Sequence, residues 1–373
     1  MHMYDYIIIG SGLTGLNIAS RISKETENVL ILEAEAFDQG STKAVQFGHQ
    51  NIDNGLRFYP SSVLSKKALI QLEDYLGIKL VKNTEETNVK TYDSSGFKSF
   101  AGFGENPPQF YDQISYFLSN KEICTHLNWS QITDFLKQKY KGKTINQAIV
   151  TGFKVKDQKV TEVIVNGSKT YSAQNYIFTA NPRDLIQLLP DDIFGIRAKA
   201  KLKKDSAWVG LCLDLAHLKL NIDKNNLFLL EGTTNDAMGP CVGRFLTKPE
   251  AESSEGLQIS QWMSFIDLET AEETENIAEL LKKMKRQIKR AFPEVMENIK
   301  SERLFVTPPL STGELKLNTN GTMPKVENLW IASAQMNQQP NILGSLLQSE
   351  LILSSLGFEN SEVIQKSEVE KNI

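Results

Sequence analysis

Cysteine is scarce in this chain of 373 residues: it has three, Cys124, Cys212 and Cys241, odd in number and far apart. That excludes a disulfide framework, and with no Cys-x-x-Cys pair or Cys/His cluster it excludes a zinc site of the usual spacing. Histidine is nearly as sparse, and His2, His49, His126 and His217 are scattered, so no metal is expected. Charge of one sign is missing as well. A formal net charge of -4 supplies no global attraction to nucleic acid or to an anionic membrane. No apolar run approaches the roughly 20 residues of a membrane span, so no transmembrane segment is expected. The first apolar strand begins almost at the first residue, which leaves no length for a signal peptide and makes a cytoplasmic protein the expectation. Residues 359–373, rich in Glu, Lys, Ser and Asn, read as a polar tail.

What is present begins at once. The apolar run Tyr6-Ile7-Ile8-Ile9 reads as a buried parallel strand and runs into Gly10-Ser11-Gly12-Leu13-Thr14-Gly15. Gly10 lets the chain turn sharply, Gly12 removes the Cβ that would block a pyrophosphate, and Gly15 lets the following helix lie close on the strand. That helix carries Leu16, Ile18, Ala19 and Ile22 on its inner face and aims its N-terminal N–H groups at the phosphates. A second apolar strand, Val29-Leu30-Ile31-Leu32, delivers Glu33, whose carboxylate would accept both ribose hydroxyl protons. Strand, glycine turn, helix, strand and acid in this order make an adenine-dinucleotide site. The acid disfavours a 2′-phosphate, which leaves NAD or FAD.

Three later segments favour FAD. Ala34 to Lys43, followed by Asn51-Ile52-Asp53-Asn54-Gly55-Leu56-Arg57-Phe58, resembles the flavoprotein superfamily of amine oxidases, protoporphyrinogen oxidases and phytoene desaturases, with UDP-galactopyranose mutases as distant kin. There the acid is followed by a Gly-Gly-Arg-like turn and then by an Asp-x-Gly pair leading toward the flavin. Val150-Thr151-Gly152-Phe153 and Val160-Thr161-Glu162-Val163, with an Asn166-Gly167 hairpin turn and a short Lys169–Ser172 strand, match its hairpin segment. Tyr176 to Pro182 matches its closing strand and small-residue turn. Glu327 to Ser333 reads as a strand and Gly344 to Leu351 as the opening of an amphipathic helix, matching the family's return to the first domain. The resemblance implies that Val150 and Ala180 flank the adenosine and that Gly344, Ser345 and Leu346 aim helix N–H groups at the flavin ring, where they stabilise its reduced, negatively charged form.

The chain also departs from that pattern. Gln39-Gly40-Ser41 keeps one glycine and loses the arginine, with Lys43 as its nearest stand-in, and Ser333, Ala334 and Gln335 stand where the family has glycine and an acid. Weaker or differently held FAD is expected. There is no second G-x-G-x-x-G, so electrons would come from a substrate or a separate reductant.

Two insertions separate the cofactor segments. The first, about 65–128, holds Phe97, Phe100, Phe103, Phe110, Tyr111, Tyr116 and Phe117, either as a lid over a pocket or as the core of a small subdomain. In the second, about 198–302, runs at 206–215, 226–231, 240–246 and 257–266 read as successive strands, followed by a helix over 270–291 that Pro293 ends.

The expectation is therefore an α/β protein: a Rossmann-like FAD-binding domain (1–64, 129–197 and 303–358) with an interleaved α+β substrate domain (65–128 and 198–302) on a mostly antiparallel sheet. Expected cofactor contacts are Gly10, Gly12, Leu13, Thr14, Gly15, Glu33, Ala34, Gly40, Ser41, Val150, Ala180, Ser333, Gly344, Ser345 and Leu346. Arg57 is the candidate for chemistry, and Tyr59, Trp208, Trp262 and Gln339 are candidate pocket walls. By the resemblance, a small organic substrate would lose hydride to flavin N5, with oxygen or another acceptor reoxidising the flavin. Two alternatives remain at this stage: a mutase-like flavoenzyme without net redox, and a catalytically lapsed binding protein.

Overall fold

The computed structural model describes residues 2–48, 50–93, 96–103, 114–204, 208–220, 222, 225–231, 240–246, 257–309, 315–336 and 342–358. The chain divides into two compact units: Met1–Lys43, Leu127–Ser206 and Ser311–Ile373 in the first, Ala44–His126 and Ala207–Leu310 in the second. Residues 44–64 and 303–310 thus group with the second unit, and 127–128 and 198–206 with the first. Strand pairing draws residues 303–306 across, because Ile299–Val306 is hydrogen-bonded along Trp208–Leu218.

Elements of the first half are β1 (Met3–Ile9), α1 (Leu13–Ile22), β2 (Val29–Leu32), α2 (Val63–Leu76), β3 (Asn88–Asp93), β4 (Gly96–Ser99), α3 (Trp129–Lys139), β5 (Lys143–Ile145), β6 (Val150–Lys156), β7 (Lys159–Val165) and β8 (Lys169–Phe178). Then follow β9 (Trp208–Leu218), β10 (Asn226–Leu230), β11 (Cys241–Phe245), β12 (Leu257–Asp267), α4 (Thr274–Ala291), β13 (Ile299–Val306), β14 (Val326–Ile331) and α5 (Ile342–Ser355).

In the first unit β14, β8, β1, β2 and β5 lie side by side and parallel. Ile7, Ile8 and Val29 to Leu32 are buried, as expected of strands covered on both faces, which read as unbroken apolar runs. The strands expected at Lys169–Ser172 and Tyr176–Thr179 are one element, β8. Ala173 and Asn175 continue the ladder by pairing with Tyr4 and Tyr6, while the start of β8 pairs antiparallel with β7. The turn between β7 and β8 is the expected Asn166-Gly167, with φ of 51° and 73° as a type I′ hairpin requires.

Helix α1 is buried throughout, its polar positions included, because α3 and α5 both pack on it. Asn17 Nδ2 donates to Ser349 Oγ at 2.7 Å, and the Arg21 guanidinium meets the Glu350 carboxylate at 2.7 Å. A capping box starts α3: Asn128 and Gln131 each accept from the other's backbone N–H.

The second unit is built on a seven-stranded sheet in the order β13-β9-β12-β11-β10-β3-β4, antiparallel except where β10 meets β3. Strand alternation sorts its side chains onto two faces. Val209, Leu211, Leu213, Leu215, Phe228, Phe245 and Trp262 share a core with Leu280, Met284 and Ile288 of α4. Cys212, Leu227, Leu229, Val242, Met263 and Phe265 share another with Leu56, Phe58 and Phe117, which Phe100 and Phe103 join. Of the described aromatic residues of the insertion, Phe100, Phe103 and Phe117 thus pack in this core, while Phe97 is exposed. Phe110 and Tyr111, and the side chain of Tyr116, lie outside the described residues.

The helix expected over 270–291 is two elements, since Asp267 caps a short turn, Leu268–Ala271, before α4 begins. Pro293 opens a further turn, Pro293–Glu297, at a position where its missing N–H costs nothing. Gly243 faces Trp262 across the sheet, and a Cβ there would lie 2.1 Å from Trp262 Cε3. Gly243→Ala is expected to cost about 1–3 kcal/mol, read by calorimetry as a lower Tm. No described helix is long and apolar enough to cross a membrane.

Candidate functional site

Gly10, Glu33, Ala180 and Ser333 all follow the carboxyl ends of neighbouring parallel strands, where open α/β sheets bind their ligands. Gly10 has φ 104°, and a Cβ on it would meet Thr179 Oγ1 at 2.4 Å. A Cβ on Gly15 would fall 2.0 Å from the Gly10 carbonyl oxygen, so the helix can approach the strand only here. Gly12 differs from both: among the described residues a Cβ there would meet nothing within 4 Å. Its bareness serves no protein contact, which is what a cradle for a ligand requires. Gly12 is also the N-cap of α1, with no capping side chain and no acid in the first turn. The positive end of the helix, at Leu13, Thr14 and Gly15, is thus left to an anion.

Glu33 is buried at 7% exposure. Its Oε2 accepts from both the backbone N–H and the hydroxyl of Ser11 at 2.7 Å, and Oε1 accepts from the Glu35 N–H at 2.9 Å. A carboxylate has about four lone-pair positions, so one remains, on Oε1. The expectation that Glu33 takes both ribose protons narrows to one, unless Ser11 gives way.

The Gln39–Thr42 turn lies against Gly12. Gln39 pairs with it as an isolated bridge and donates its N–H to Ser11 O at 3.0 Å, and a Cβ on Gly40 would lie 3.3 Å from Gly12 Cα. Gly40 is thereby brought to Gly12, and Ser41 follows it in the turn. Lys43, the stand-in for the missing arginine, instead holds its ammonium 3.6 Å from the centre of the Phe37 ring, a cation–π contact.

The remaining expected contacts are spread through the same unit. Val150 opens β6 and pairs with Val165. Ser333 is fully buried, its hydroxyl donating to Gln335 Oε1. Gly344, Ser345 and Leu346 sit in the opening turns of α5, which starts at Ile342 and packs on the turn at Ala334–Met336. The expectation of an amphipathic helix is corrected: α5 is buried at most of its positions, Gln348, Ser349 and Glu350 among them.

In the second unit Gly55 has φ 89°, and a Cβ on it would meet Phe305 Cζ at 2.7 Å and Cys212 Sγ at 3.3 Å. A buried polar chain holds this turn to the sheet. Arg303 donates to Asp214 Oδ2 at 2.8 Å and to Asn54 Oδ1 at 2.7 Å, while Gln261 Nε2 reaches Asp214 Oδ1 at 3.0 Å and the Asp53 carbonyl at 3.1 Å. Beside it Arg244 grips both oxygens of Glu122 at 2.9 and 3.1 Å and donates to the Arg57 carbonyl at 3.3 Å. Burial pushes the carboxyls of Asp53, Glu122 and Asp214 upward, against the pull of their arginine neighbours. The Arg57 charge pulls the Asp53 carboxyl down against the effect of burial.

Tyr59 is buried, and Trp208 packs on the Cys212 side of the sheet. Trp262 is fully buried on the α4 side, its indole N–H donating to Ser260 Oγ at 2.9 Å. Gln339 lies outside the described residues. Sequence reading missed Asp214, Gln261, Arg244, Arg303 and Glu122. The available signal was Asp214 itself, a charge inside the apolar run Val209 to Ala216, which demands a buried partner.

The chain interleaves a unit built on a parallel sheet with a mostly antiparallel one, and known structures share this fold. An oxidoreductase from Methanosarcina mazei superposes with a TM-score of 0.70 over 94% of this chain and 99% of that one, at 13% identity. Cyclohexylamine oxidase from Brevibacterium oxydans gives 0.63 over 95% and 99%, at 11% identity. Putrescine oxidase bound to putrescine gives 0.64 over 95% and 99%, at 12%. The fold is that of the flavin amine oxidases. In sequence, flavin-containing amine oxidase A of Equus caballus is 29% identical over 116 residues, which make up 31% of this chain and 21% of that protein. The matched part is thus about a fifth of that relative's length. No family model matches.

Proposed function

We propose that the chain binds FAD in its first unit and is an oxidoreductase acting on a small organic substrate, at an amine or at a C–C or C–N bond, with oxygen or another acceptor taking the electrons. The observation that carries this reading is Gly12: a glycine that no atom of the described residues requires, at the uncapped start of a buried helix. The residues present fit the adenosine diphosphate half of FAD. Gly10 and Gly15 shape the turn, Gly12 clears room for the pyrophosphate, and the N–H groups of Leu13, Thr14 and Gly15 face it. Glu33 and Ala34 stand at the ribose, Gly40 and Ser41 on the phosphate side, and Val150 and Ala180 at the adenosine. Ser333, Gly344, Ser345 and Leu346 belong to the other half. When bound, FAD supplies the hydride-accepting ring, so the chain itself needs no nucleophile. Arg57, Tyr59 and Trp208 are the substrate-side residues of the second unit, with Arg57 the group to hold negative charge.

Purified protein saturated with FAD and desalted should stay yellow and release FAD on denaturation. A colourless sample that FAD cannot reconstitute overturns the reading. Ser11→Ala gives a finer check. It frees one acceptor position on Glu33 Oε2 and should tighten FAD about two- to tenfold by calorimetric titration, the worth of one hydrogen bond. Chemically reduced protein that air reoxidises within seconds supports an oxidase. A long-lived reduced form that binds a nucleotide sugar turns the reaction toward the mutase type.

A further inference from the structure

Gln39 is the one residue of the Gly12–Gln39 contact whose backbone is unusual. It has φ 86°, in the left-handed region that side-chain-bearing residues avoid, and such a conformation persists only when its surroundings hold it. The holding comes from α3. Gln39 Nε2 donates to Asp134 Oδ1 at 2.5 Å and to the Ser130 carbonyl at 3.3 Å, and its Oε1 accepts from Ser130 Oγ at 3.0 Å. One turn further on, Lys137 pairs with Asp38. Ser130, Asp134 and Lys137 stand at i, i+4 and i+7, one stripe of the helix, and all three grip residues 38 and 39. The capping box at Asn128 and Gln131 and the burial of Trp129, Ile132 and Leu136 fix α3 beneath them. On its other side the turn is tied to the glycine loop through Gln39 N–H to Ser11 O at 3.0 Å, and Thr42 Oγ1 closes the turn itself by donating to Gln39 O at 2.6 Å.

We propose that α3 is a latch on the pyrophosphate turn: Gln39, clamped by Ser130 and Asp134, is a positioning residue that holds Gly40 and Ser41 against Gly12 in a chain that lacks the arginine of the Gly-Gly-Arg turn. The proposal rests on the dinucleotide reading of the Gly10–Gly15 loop. It replaces a charge contact with geometry. The clamp draws the Gln39 amide onto α3, away from the phosphates, and what the ligand meets is backbone fixed in a strained conformation. The effect should therefore fall on the diphosphate and spare the nucleoside.

The test is calorimetric titration of the full chain with FAD, ADP and adenosine, in wild type and in Gln39→Leu, Asp134→Ala, Ser130→Ala and Asp134→Asn. Gln39→Leu and Asp134→Ala should weaken FAD and ADP about tenfold, the worth of a hydrogen bond to a charged group, with adenosine unchanged. Ser130→Ala should act in the same direction and less. Asp134→Asn keeps an acceptor for the Gln39 amide and should behave as wild type. Unchanged ADP binding in Gln39→Leu and Asp134→Ala overturns the latch and leaves the dinucleotide reading standing. An equal loss for ADP and adenosine also overturns it, because that marks a general loosening of the fold. Wild-type protein that binds neither FAD nor ADP removes the reading on which the latch depends.

Discussion

Gly12→Val is expected to abolish FAD binding and leave the Tm of the ligand-free chain unchanged, while Gly15→Ala is expected to unfold or strongly destabilise it. The two glycines are three residues apart in one motif, yet they are bare for opposite reasons. Gly12 has φ -67° and ψ -177°, which any residue adopts, and among the described residues no atom lies within 4 Å of where a Cβ would stand, so a side chain can start there without strain. The methyl groups of a valine would fill the room that the pyrophosphate needs, at the start of the helix dipole. At Gly15 even a methyl group meets the Gly10 carbonyl at 2.0 Å and the Gly10 carbonyl carbon at 3.1 Å, both backbone atoms that cannot swing aside. Helix α1 would have to lift from β1, at a cost of about 3 kcal/mol or more. Thermal unfolding and FAD titration of both variants separate the roles. If Gly12→Val binds FAD as wild type does, the open space at Gly12 is not the phosphate site.

Arg303→Met should be the most destabilising change in the second unit, by about 3–5 kcal/mol, because it leaves the fully buried Asp214 carboxylate without its cation. It also releases Asn54 and with it the turn that ends at Gly55. The loss should depend on pH. Asp214 is raised by burial, with the hydrogen bonds from Gln261 and Arg303 and the Arg303 charge working to lower it. Without the arginine it rises further. A carboxyl raised in the folded state favours folding below its unfolded pKa, and that contribution disappears as pH climbs through the folded value. The gap between Arg303→Met and wild type should therefore narrow in acid and widen toward neutral pH. Asp214→Asn combined with Arg303→Met should recover much of the loss, since neither buried charge then remains. Denaturant titrations at several pH values check both statements.

Where a single residue type at a single place carries the physics, the sequence was readable. Gly10, Gly12 and Gly15 between an apolar strand and a helix, Glu33 at the end of the next strand, and Asn166-Gly167 in a hairpin all stand where their local chemistry puts them. The four strands of the second sheet and their mostly antiparallel pairing were legible from apolar runs, but the face each side chain takes was not. In β12 every residue from Gln258 to Ile266 is buried, so no polar alternation marks which face looks where. The joined strand β8 escaped because Gln174 and Asn175 look like a break until Ala173 and Asn175 are seen to pair with β1. Nothing local announces the clamp on Gln39, whose partners lie 91 and 95 residues away. The capping signal Asn128-x-x-Gln131 that starts α3 was in plain sight, and it shows where a stricter reading of helix starts would have reached one of the parts that builds the site.

The central claim is that the first unit holds FAD at Gly12. The direct measurement is the visible spectrum of the full-length chain, saturated with FAD, desalted and compared with Gly12→Val treated in the same way. Wild type should retain flavin close to one per chain and Gly12→Val should emerge colourless, with the same Tm before FAD is added. Colourless wild-type protein, or a Gly12→Val chain that keeps its flavin, would contradict the claim.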